Sequence, residues 1–327
     1  MDTPEMFQKS RLDLSELRDG VEKMKAEVAK VIVGQEAMIE LLIVALLADG
    51  HVLIEGVPGV AKTLTAKLLS KTFSVDFSRI QFTPDLMPSD VLGTSIFNQK
   101  TTQFEFRPGP IFSNIVLIDE INRAPAKTQA AMFEVMEERQ VTVDGTTHPM
   151  KPPFIVLATQ NPIEQEGTYR LPEAQLDRFI FKVSVDYPNL QEEEAIIRGH
   201  HTRQMGNPLD SIQPVMSAER IATFRNKVRE IHVEDKLINY IARLVNDTRQ
   251  NRSLYLGASP RASIAILNSS KAMAAIRGRD FVTPEDIREV TLPVMQHRVI
   301  LTPEREMEGL KPADIIKEII QKIEVPR

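Results

Sequence analysis

Cysteine is absent from the 327 residues of this sequence. Its absence excludes disulfides, catalysis by a thiol and cysteine-ligated zinc, and it fits a reducing compartment. Long apolar runs are absent too, since the longest, Leu41 to Ala48, is far shorter than the roughly 20 residues needed to cross a bilayer. The N-terminal stretch Met1 to Arg11 carries acids and no apolar core, so it is not typical of a secretory signal. We therefore expect a cytoplasmic protein without a transmembrane segment.

A surplus of positive charge is also missing. Lysine and arginine number 40 against 45 aspartate and glutamate, which gives a net charge of -5 and an isoelectric point near 5.8. Such a chain has no large electrostatic attraction for a phosphate backbone, so nucleic acid is not the expected partner. Hydrophobic residues make up 42% of the chain, as in ordinary globular proteins. At this length we expect two domains.

The sequence does contain short apolar runs that alternate with helix-like segments. His51 to Glu55, bounded by Gly50 and Gly56, has the β-branched bias of a central strand. Further strand candidates are 77–83, 115–118, 154–159 and 180–185. Helical spacing of apolar residues is found at 15–31, and 35–48 is apolar nearly all round, which predicts a buried helix. The pattern predicts an α/β fold with a parallel sheet covered by helices on both faces.

Two interruptions of this alternation predict β-hairpins inserted into the α/β frame. One is 94–106, and the other is 140–150, where Asp144-Gly145 is a strong signal for a two-residue turn. Beyond Pro188 we expect no further strands. Helices are predicted near 190–201, 217–231, 233–251, 259–278, 284–298 and 312–323, with Pro284 and Pro312 marking two helix starts. The predicted organisation is an α/β domain over 1–188 and an all-α domain over 189–327.

The segment between the first strand and the helix after it has the position and spacing of a phosphate-binding loop. Its residues are Gly56, Val57, Pro58, Gly59, Val60, Ala61, Lys62 and Thr63. In such a loop backbone N–H groups and the helix N-terminus hold the anion, Lys62 reaches the β- and γ-phosphates, and the Thr63 hydroxyl ligates magnesium. Ala61 replaces the glycine of the usual motif, and its small methyl still permits a close approach of the backbone. The alternative is a Gly/Pro-rich turn whose lysine is merely solvated.

A second candidate element is the buried strand 115–118, which runs directly into Asp119 and Glu120. Their carboxylates emerge at the carboxyl end of the strand, where open α/β sheets bind ligands. Asp119 can hold magnesium directly or through water, and Glu120 can orient or deprotonate an attacking water. Alone, such an acid pair is often only a polar loop. Together with the loop at Lys62, it indicates a magnesium-dependent ATPase.

Two further polar residues lie near predicted strand ends. Asn161 follows the strand 154–159, where an amide can bind the γ-phosphate and water, although Asn161-Pro162 also suits a simple turn. Arg178 ends a short predicted helix just before the last strand, where it could simply pair with Asp177 or cap that helix.

Together these motifs resemble those of an AAA+ ATPase, and their sequences are similar to those of the MoxR family. The resemblance covers about Val31 to Arg261. It rests on Val33-Gly-Gln-Glu36, the loop Gly56 to Thr63, Ile118-Asp-Glu-Ile-Asn-Arg-Ala-Pro125, Ala158-Thr-Gln-Asn-Pro162 and Leu171-Pro-Glu-Ala-Gln-Leu-Asp-Arg-Phe179. It implies the P-loop NTPase fold of AAA+ proteins with a helical lid as the second domain. In this family alanine is the usual residue at the position of Ala61.

The resemblance also implies roles for individual residues. It makes Asn161 the sensor-1 residue and Arg178 an arginine finger offered to the ATP of a neighbouring subunit. It makes Arg261, in Gly257-Ala-Ser-Pro-Arg261, the sensor-2 arginine that contacts the γ-phosphate of its own subunit. The residues that it places around the adenine are Ile32, Val33 and Gly34.

The resemblance further implies a ring, expected to be a hexamer, whose hairpins face partners or the pore. Members of the family are similar to chaperones that use ATP to assemble or mature other proteins, often ones with a von Willebrand factor A domain. This sequence lacks the Asp-x-Ser-x-Ser phrase of such a domain, so the client would be a separate chain. Two alternatives remain open. One is a nucleic-acid motor or loader, disfavoured by the acidic charge and by the lack of Lys and Arg in 140–150; the other is the ATPase subunit of a metal-chelatase.

Overall fold

The computed structural model describes residues 12–161, 168–203 and 207–326. The strands in these segments are β1 (His51–Gly56), β2 (Phe77–Gln81), β3 (Gly93–Asn98), β4 (Gln103–Pro108), β5 (Ile115–Asp119), β6 (Gln140–Val143), β7 (Thr146–Pro149), β8 (Ile155–Gln160), β9 (Phe179–Val185), β10 (Leu254–Leu256) and β11 (Ile300–Leu301). The α-helices are α1 (Ser15–Ala29), α2 (Glu36–Leu47), α3 (Lys62–Thr72), α4 (Pro88–Leu92), α5 (Ala126–Glu138), α6 (Glu173–Leu176), α7 (Leu190–Arg203), α8 (Ala218–Glu230), α9 (Asp235–Gln250), α10 (Pro260–Ile276), α11 (Pro284–Met295), α12 (Pro303–Met307) and α13 (Pro312–Lys322). Among the described residues, no helix is both long and apolar enough to cross a membrane.

Five strands form one parallel sheet in the order β2-β5-β8-β1-β9. Its central strands are buried nearly from end to end, and β5 is buried along its whole length. Strands covered on both faces need apolar side chains on both sides, so they have continuous apolar runs rather than alternating patterns. The prediction of an α/β fold with a parallel sheet is confirmed.

The register of the sheet decides where the candidate site residues come. Gly56 at the end of β1 lies opposite Val185 of β9, whereas His51 at the start of β1 lies opposite Phe179. Asp119 ends β5. Because the carboxyl ends of parallel strands meet at one edge of the sheet, Gly56 and Asp119 share an edge. Phe179 lies at the opposite edge, where the strands begin.

Both inserted hairpins are confirmed. β3 pairs antiparallel with β4, and β6 pairs antiparallel with β7. In the second hairpin Asp144 and Gly145 have φ values of 49° and 77°, and a two-residue turn of this kind requires positive φ at both positions. The two hairpins touch each other, since the Phe106 ring stacks on the His148 ring with centroids 4.2 Å apart.

Helices dominate the chain after residue 188, and two of them begin at Pro284 and Pro312 as predicted. The expectation of no further strands is wrong, because β10 pairs antiparallel with β11. These strands have only three and two residues, too few to show a period-2 pattern. Each finds its partner through the packing of the surrounding helices, which no local pattern encodes.

The helical part after residue 188, called the lid below, packs directly on the sheet. α11 contacts β9, α10 contacts α2, and one apolar core joins residues of both parts. The side chains of Gln296, His297 and Arg298 form hydrogen bonds with main-chain carbonyl oxygens of β9. The lid therefore covers β9, the outermost strand of the sheet. The division into two domains at residue 188 stays a prediction.

Candidate functional site

The predicted phosphate-binding loop forms the turn between β1 and α3. Gly59 has a φ of 89°, and a Cβ added there would meet nothing within 4 Å, so the space beside the loop is open. Gly56 is required for the opposite reason, because a Cβ there would lie 2.7 Å from the main-chain oxygen of Val185. Ala61 precedes α3 with a φ of 58°, a left-handed conformation that costs an L-residue about 1–2 kcal/mol. The first N–H groups of α3 lack intrahelical partners, as at other helix starts that bind anions.

Lys62 is the first residue of α3, and its side chain lies over the loop. Its ammonium donates a hydrogen bond to the Gly56 carbonyl oxygen at 2.5 Å. Burial lowers the pKa of Lys62 below its usual value, although the nearby Asp119 and Glu120 carboxylates oppose this effect. The loop and the end of β5 therefore face the same space. Thr63 follows in the first turn of α3 and is half-buried.

Asp119 is buried at the carboxyl end of β5. Its Oδ2 forms an ion pair with Arg79 Nε of β2 at 2.6 Å, and its Oδ1 accepts a hydrogen bond from the Thr159 hydroxyl at 3.2 Å. The same hydroxyl accepts from the main-chain N–H of Glu120 at 3.1 Å. One side chain of β8 thus ties together the last residue of β5 and the acidic residue that follows it.

Glu120 has a left-handed backbone conformation, with a φ of 57° and a ψ of 55°, at the turn that follows β5. Its Oε2 accepts a hydrogen bond from Gln81 at 3.0 Å and lies 2.9 Å from Arg123 Nε. Sequence analysis missed these partners, as it missed Arg79 and Thr159. A weak signal was present, since Arg79 and Gln81 are polar residues at alternate positions of β2. Their register against β5 is visible only in the fold.

The oxygen donors at this edge fit a magnesium ion. In phosphate-binding proteins Mg²⁺ is usually held by one or two protein oxygens together with phosphate oxygens and water. The Asp119 carboxylate and the Thr63 hydroxyl supply such a partial set. In this structure the Arg79 guanidinium occupies the cation position at this carboxylate.

A cavity of about 620 Å³ opens beside the loop, with walls that are mostly apolar. Ile32 and Val33, two of the residues expected around the adenine, line it. The third, Gly34, lies next to it, where a Cβ would come within 2.6 Å of the Glu192 carboxylate. On the other side the cavity is closed by Tyr187 and Pro188, which follow β9, and by Ile196 and His200 of the lid. Mostly apolar pockets of this size with few polar groups are typical sites for small organic ligands.

Asn161 directly follows β8 and is buried. Because β8 lies between β5 and β1, Asn161 lies at the same sheet edge as Asp119 and the loop. Pro162, the other residue of the alternative Asn-Pro turn, lies outside the described residues. The structure therefore brings the loop, both acids and the amide together at one edge.

Arg178 and Arg261 lie together, but away from this edge. Arg178 directly precedes Phe179, whose partner in the sheet is His51, the first residue of β1. Arg178 Nη1 and Arg261 Nη2 both contact the Glu137 carboxylate, at 3.1 and 2.8 Å. One acid of α5 therefore holds both arginines at the edge where the strands begin.

The expected contact of Arg261 with the γ-phosphate of its own subunit stays a prediction, and in this structure Arg261 lies far from the loop. At about 3.3 Å per residue, β1 separates the two sheet edges by about 17 Å. The carbonyl oxygen just before Glu137 lies 3.0 Å from a His51 ring nitrogen, which places Arg261 near the start of β1. The cause is the docking of α10, since the Ser259 hydroxyl donates to Asp177 at 2.9 Å. The lid thus presents Arg261 on the face that carries Arg178.

The simple pairing of Arg178 with Asp177 is not what the structure shows. Asp177 pairs instead with Arg298, at 2.7 Å. Besides contacting Glu137, Arg178 donates to the Phe133 carbonyl oxygen at 3.1 Å. Sequence analysis missed Glu137 and Arg298, because only packing brings them to Arg178 and Asp177.

Two family descriptions match separate parts of the chain. Residues 51–181 match the ATPase family associated with various cellular activities (AAA), and residues 246–319 match the AAA lid domain.

Similar proteins extend over nearly the whole chain. YeaC of Bacillus subtilis is 46% identical over 93% of this chain and 94% of its own. Chaperone MoxR1 of Mycobacterium tuberculosis is 43% identical over 94% of this chain and 82% of its own. A crystal structure of a protein from Cytophaga hutchinsonii superposes with a TM-score of 0.89 at 43% identity, covering 96% of this chain and 97% of that one. Sequence and fold agree, and the chain belongs to the MoxR family of AAA+ ATPases.

Proposed function

We propose that this chain hydrolyses ATP with magnesium, in a site that two subunits of a ring share. The observation that supports this best is the gathering of the loop, Asp119, Glu120 and Asn161 at one sheet edge beside an apolar cavity. With the phosphates of ATP bound by the loop, the adenine would lie in the cavity between the loop and the lid.

Each residue at this edge has a distinct part in the proposed reaction. Lys62 and the N–H groups of the loop bind the β- and γ-phosphates. Thr63 and Asp119 hold magnesium, which neutralises phosphate charge when it is bound. Glu120 orients a water and takes its proton as the water oxygen attacks the γ-phosphorus and the bond to the bridging oxygen of ADP breaks. Asn161 steadies the γ-phosphate and the water.

Arg178 and Arg261 act on the ATP of the neighbouring subunit in this proposal. Both lie at the end of the strands opposite their own loop, and therefore on a different face of the subunit. A guanidinium supplied in this way stabilises the charge on the phosphoryl group during transfer, with an effect on turnover of about 10³ to 10⁵. A contact that joins two different faces repeats head to tail and forms a ring when its rotation closes; we propose a hexamer.

The energy of hydrolysis would be used to remodel a client protein in the cytoplasm. The name of the relative Chaperone MoxR1 supports a chaperone-like role. We propose a separate client with a von Willebrand factor A domain, contacted through the hairpins β3–β4 and β6–β7. Such a purified domain should raise ATP turnover, and single-stranded DNA should not. The reverse result would favour the nucleic-acid alternative.

Two variants test the division of labour at the proposed site. Lys62→Ala should abolish ATP binding, because it removes the ammonium that contacts the phosphates. Glu120→Gln should bind ATP normally and hydrolyse it very slowly, because only the water loses its base. Affinity is measured with a fluorescent ATP analogue and turnover by phosphate release. Parental turnover in Glu120→Gln would exclude Glu120 as the base.

A further inference from the structure

The residue before Arg178 is clamped by the lid. Arg298 Nε bonds Oδ1 of Asp177 at 2.7 Å, and Arg298 Nη2 donates to the main-chain oxygen of Asp177 at 3.0 Å. The Ser259 hydroxyl donates to the other carboxylate oxygen at 2.9 Å. Lid side chains therefore hold all three oxygens of Asp177, and with them the backbone that carries Arg178.

Arg298 is built into the structure more firmly than an ordinary surface arginine. Its side chain is only 3% exposed. The guanidinium also donates to the main-chain oxygens of Phe179 at 2.6 Å, Ile180 at 3.2 Å and Val294. Burial lowers the pKa of Arg298, and the Asp177 carboxylate opposes that effect. A lysine has one compact ammonium and could not satisfy this set of acceptors.

The same clamp reaches the second arginine. Ser259 caps α10, and its hydroxyl accepts a hydrogen bond from the N–H of Arg261 at 3.2 Å. Arg178 and Arg261 then meet at the Glu137 carboxylate. The two arginines are thus fixed twice: through the main chain at Asp177 and through their side chains at Glu137.

We infer that Arg298 and Asp177 are positioning residues for Arg178 and Arg261. Through these two arginines, the clamp affects hydrolysis of the ATP in the neighbouring subunit rather than in its own. The inference rests on the proposed shared site. Misplacing a catalytic group by about 1 Å costs on the order of 10² in rate. Loosening the clamp should therefore reduce turnover about 100-fold while leaving ATP affinity close to that of the parent protein.

The test uses Arg298→Lys, which keeps the charge, and Asp177→Asn, which keeps the shape should the first variant fold poorly. Each is mixed with Lys62→Ala, whose own site is inactive but whose arginines are intact. These mixed rings should regain turnover, because a site with Lys62 then faces a well-positioned arginine pair. Rings mixed with Arg178→Ala should stay inactive, because every arginine pair in them is defective. A merely structural defect would not distinguish the two mixtures.

Arg225→Lys is the matched control. Arg225 is also buried, with a side chain that is 9% exposed, and it also joins the lid to the part of the chain before residue 188. Its partners are the Leu46 carbonyl oxygen and the Asp49 carboxylate, both at 2.8 Å, and not Asp177. This variant should keep parental turnover. A loss equal to that of Arg298→Lys would overturn the inference.

The proposed shared site is checked separately by mixing Arg178→Ala with Lys62→Ala. Recovered turnover there, without recovery for Arg298→Lys or Asp177→Asn mixed with Lys62→Ala, overturns the positioning role alone. Recovery when either clamp variant is mixed with Arg178→Ala also overturns it. No recovery for Arg178→Ala with Lys62→Ala, in rings shown to contain both subunits, refutes the shared site and the inference together.

Discussion

His51 makes the stability of this fold sensitive to acid. The ring is fully buried at the start of β1, where Nδ1 accepts from the Val156 N–H at 2.9 Å and Nε2 lies 3.0 Å from the Met136 carbonyl oxygen. Both bonds are satisfied only by the neutral ring with its proton on Nε2. Burial, helped by the nearby Arg139 guanidinium, lowers the pKa of His51 from 6.5 to about 3.

The sign and size of the effect follow from this difference. Below about pH 6.5 the unfolded chain binds a proton at His51, and the folded chain does not until about pH 3. The free energy of unfolding therefore decreases as the pH falls through this window. At about pH 5 the contribution is about 2 kcal/mol, from about 1.4 kcal/mol per pH unit below the ordinary pKa. A folded-state pKa anywhere well below 5 gives the same figure.

The assay is urea unfolding at about pH 7.5 and about pH 5, for the parent and for His51→Gln, whose amide cannot titrate in this range. On acidification the parent should lose about 2 kcal/mol more than the variant. His297 is also buried with a lowered pKa, but it is present in both proteins and cancels in the comparison. Equal losses would mean that His51 does not stay neutral in the folded state, and the reasoning would be wrong.

Three substitutions test the candidate site further. Ala61→Gly should raise the free energy of unfolding of the nucleotide-free protein by about 0.5–1 kcal/mol, because glycine adopts a φ of 58° without strain but loses more backbone entropy; destabilisation in urea would contradict this. Thr159→Val should lower turnover more than ATP affinity, since Asp119 and Glu120 both lose a hydrogen-bond partner, and Thr159→Ser, which keeps the hydroxyl, should have parental turnover. A change in affinity alone would refute the role of Thr159 in positioning the two acids. Arg261→Ala should lower turnover by about 10² or more and leave ATP and ADP affinities unchanged. In titrations with both nucleotides, a selective loss for ATP would return Arg261 to its own subunit's γ-phosphate.

Much of the fold was predictable because its signals are local. The buried strands have continuous apolar runs, and the turn at Asp144-Gly145 has one of the few sequences that its backbone prefers. Prolines at 284 and 312 mark helix starts because their missing N–H groups are not needed there. β10 and β11 were missed because strands this short carry no period, and their pairing depends on distant helices.

The candidate site also combines residues that local sequence identifies with residues that only the fold brings together. Lys62, Asp119 and Glu120 were found because short phrases at strand ends identify them. The side chains that hold the acids, Arg79 and Thr159, come from neighbouring strands, and only the sheet register brings them to the site. Contacts between residues far apart in sequence leave no mark in either segment alone.

Arg261 shows a subtler limit. Its phrase identifies an arginine at the start of a lid helix, but not the side of the sheet on which that helix docks. That choice is made by Ser259 and Arg298 at Asp177, on the far side from the loop. A residue can thus be recognised in the sequence while its position relative to the loop cannot.

The lid segment on β9 has a consequence for solubility. β9 is an outermost strand of the sheet and pairs with a strand, β1, on one side only. An open edge of this kind is a template for strands of other molecules and hence for aggregation. Gln296, His297 and Arg298 bond to main-chain oxygens of β9. Until these late residues of the chain are in place, a folding molecule exposes a bare edge, so correct docking of the lid also protects the protein from self-association.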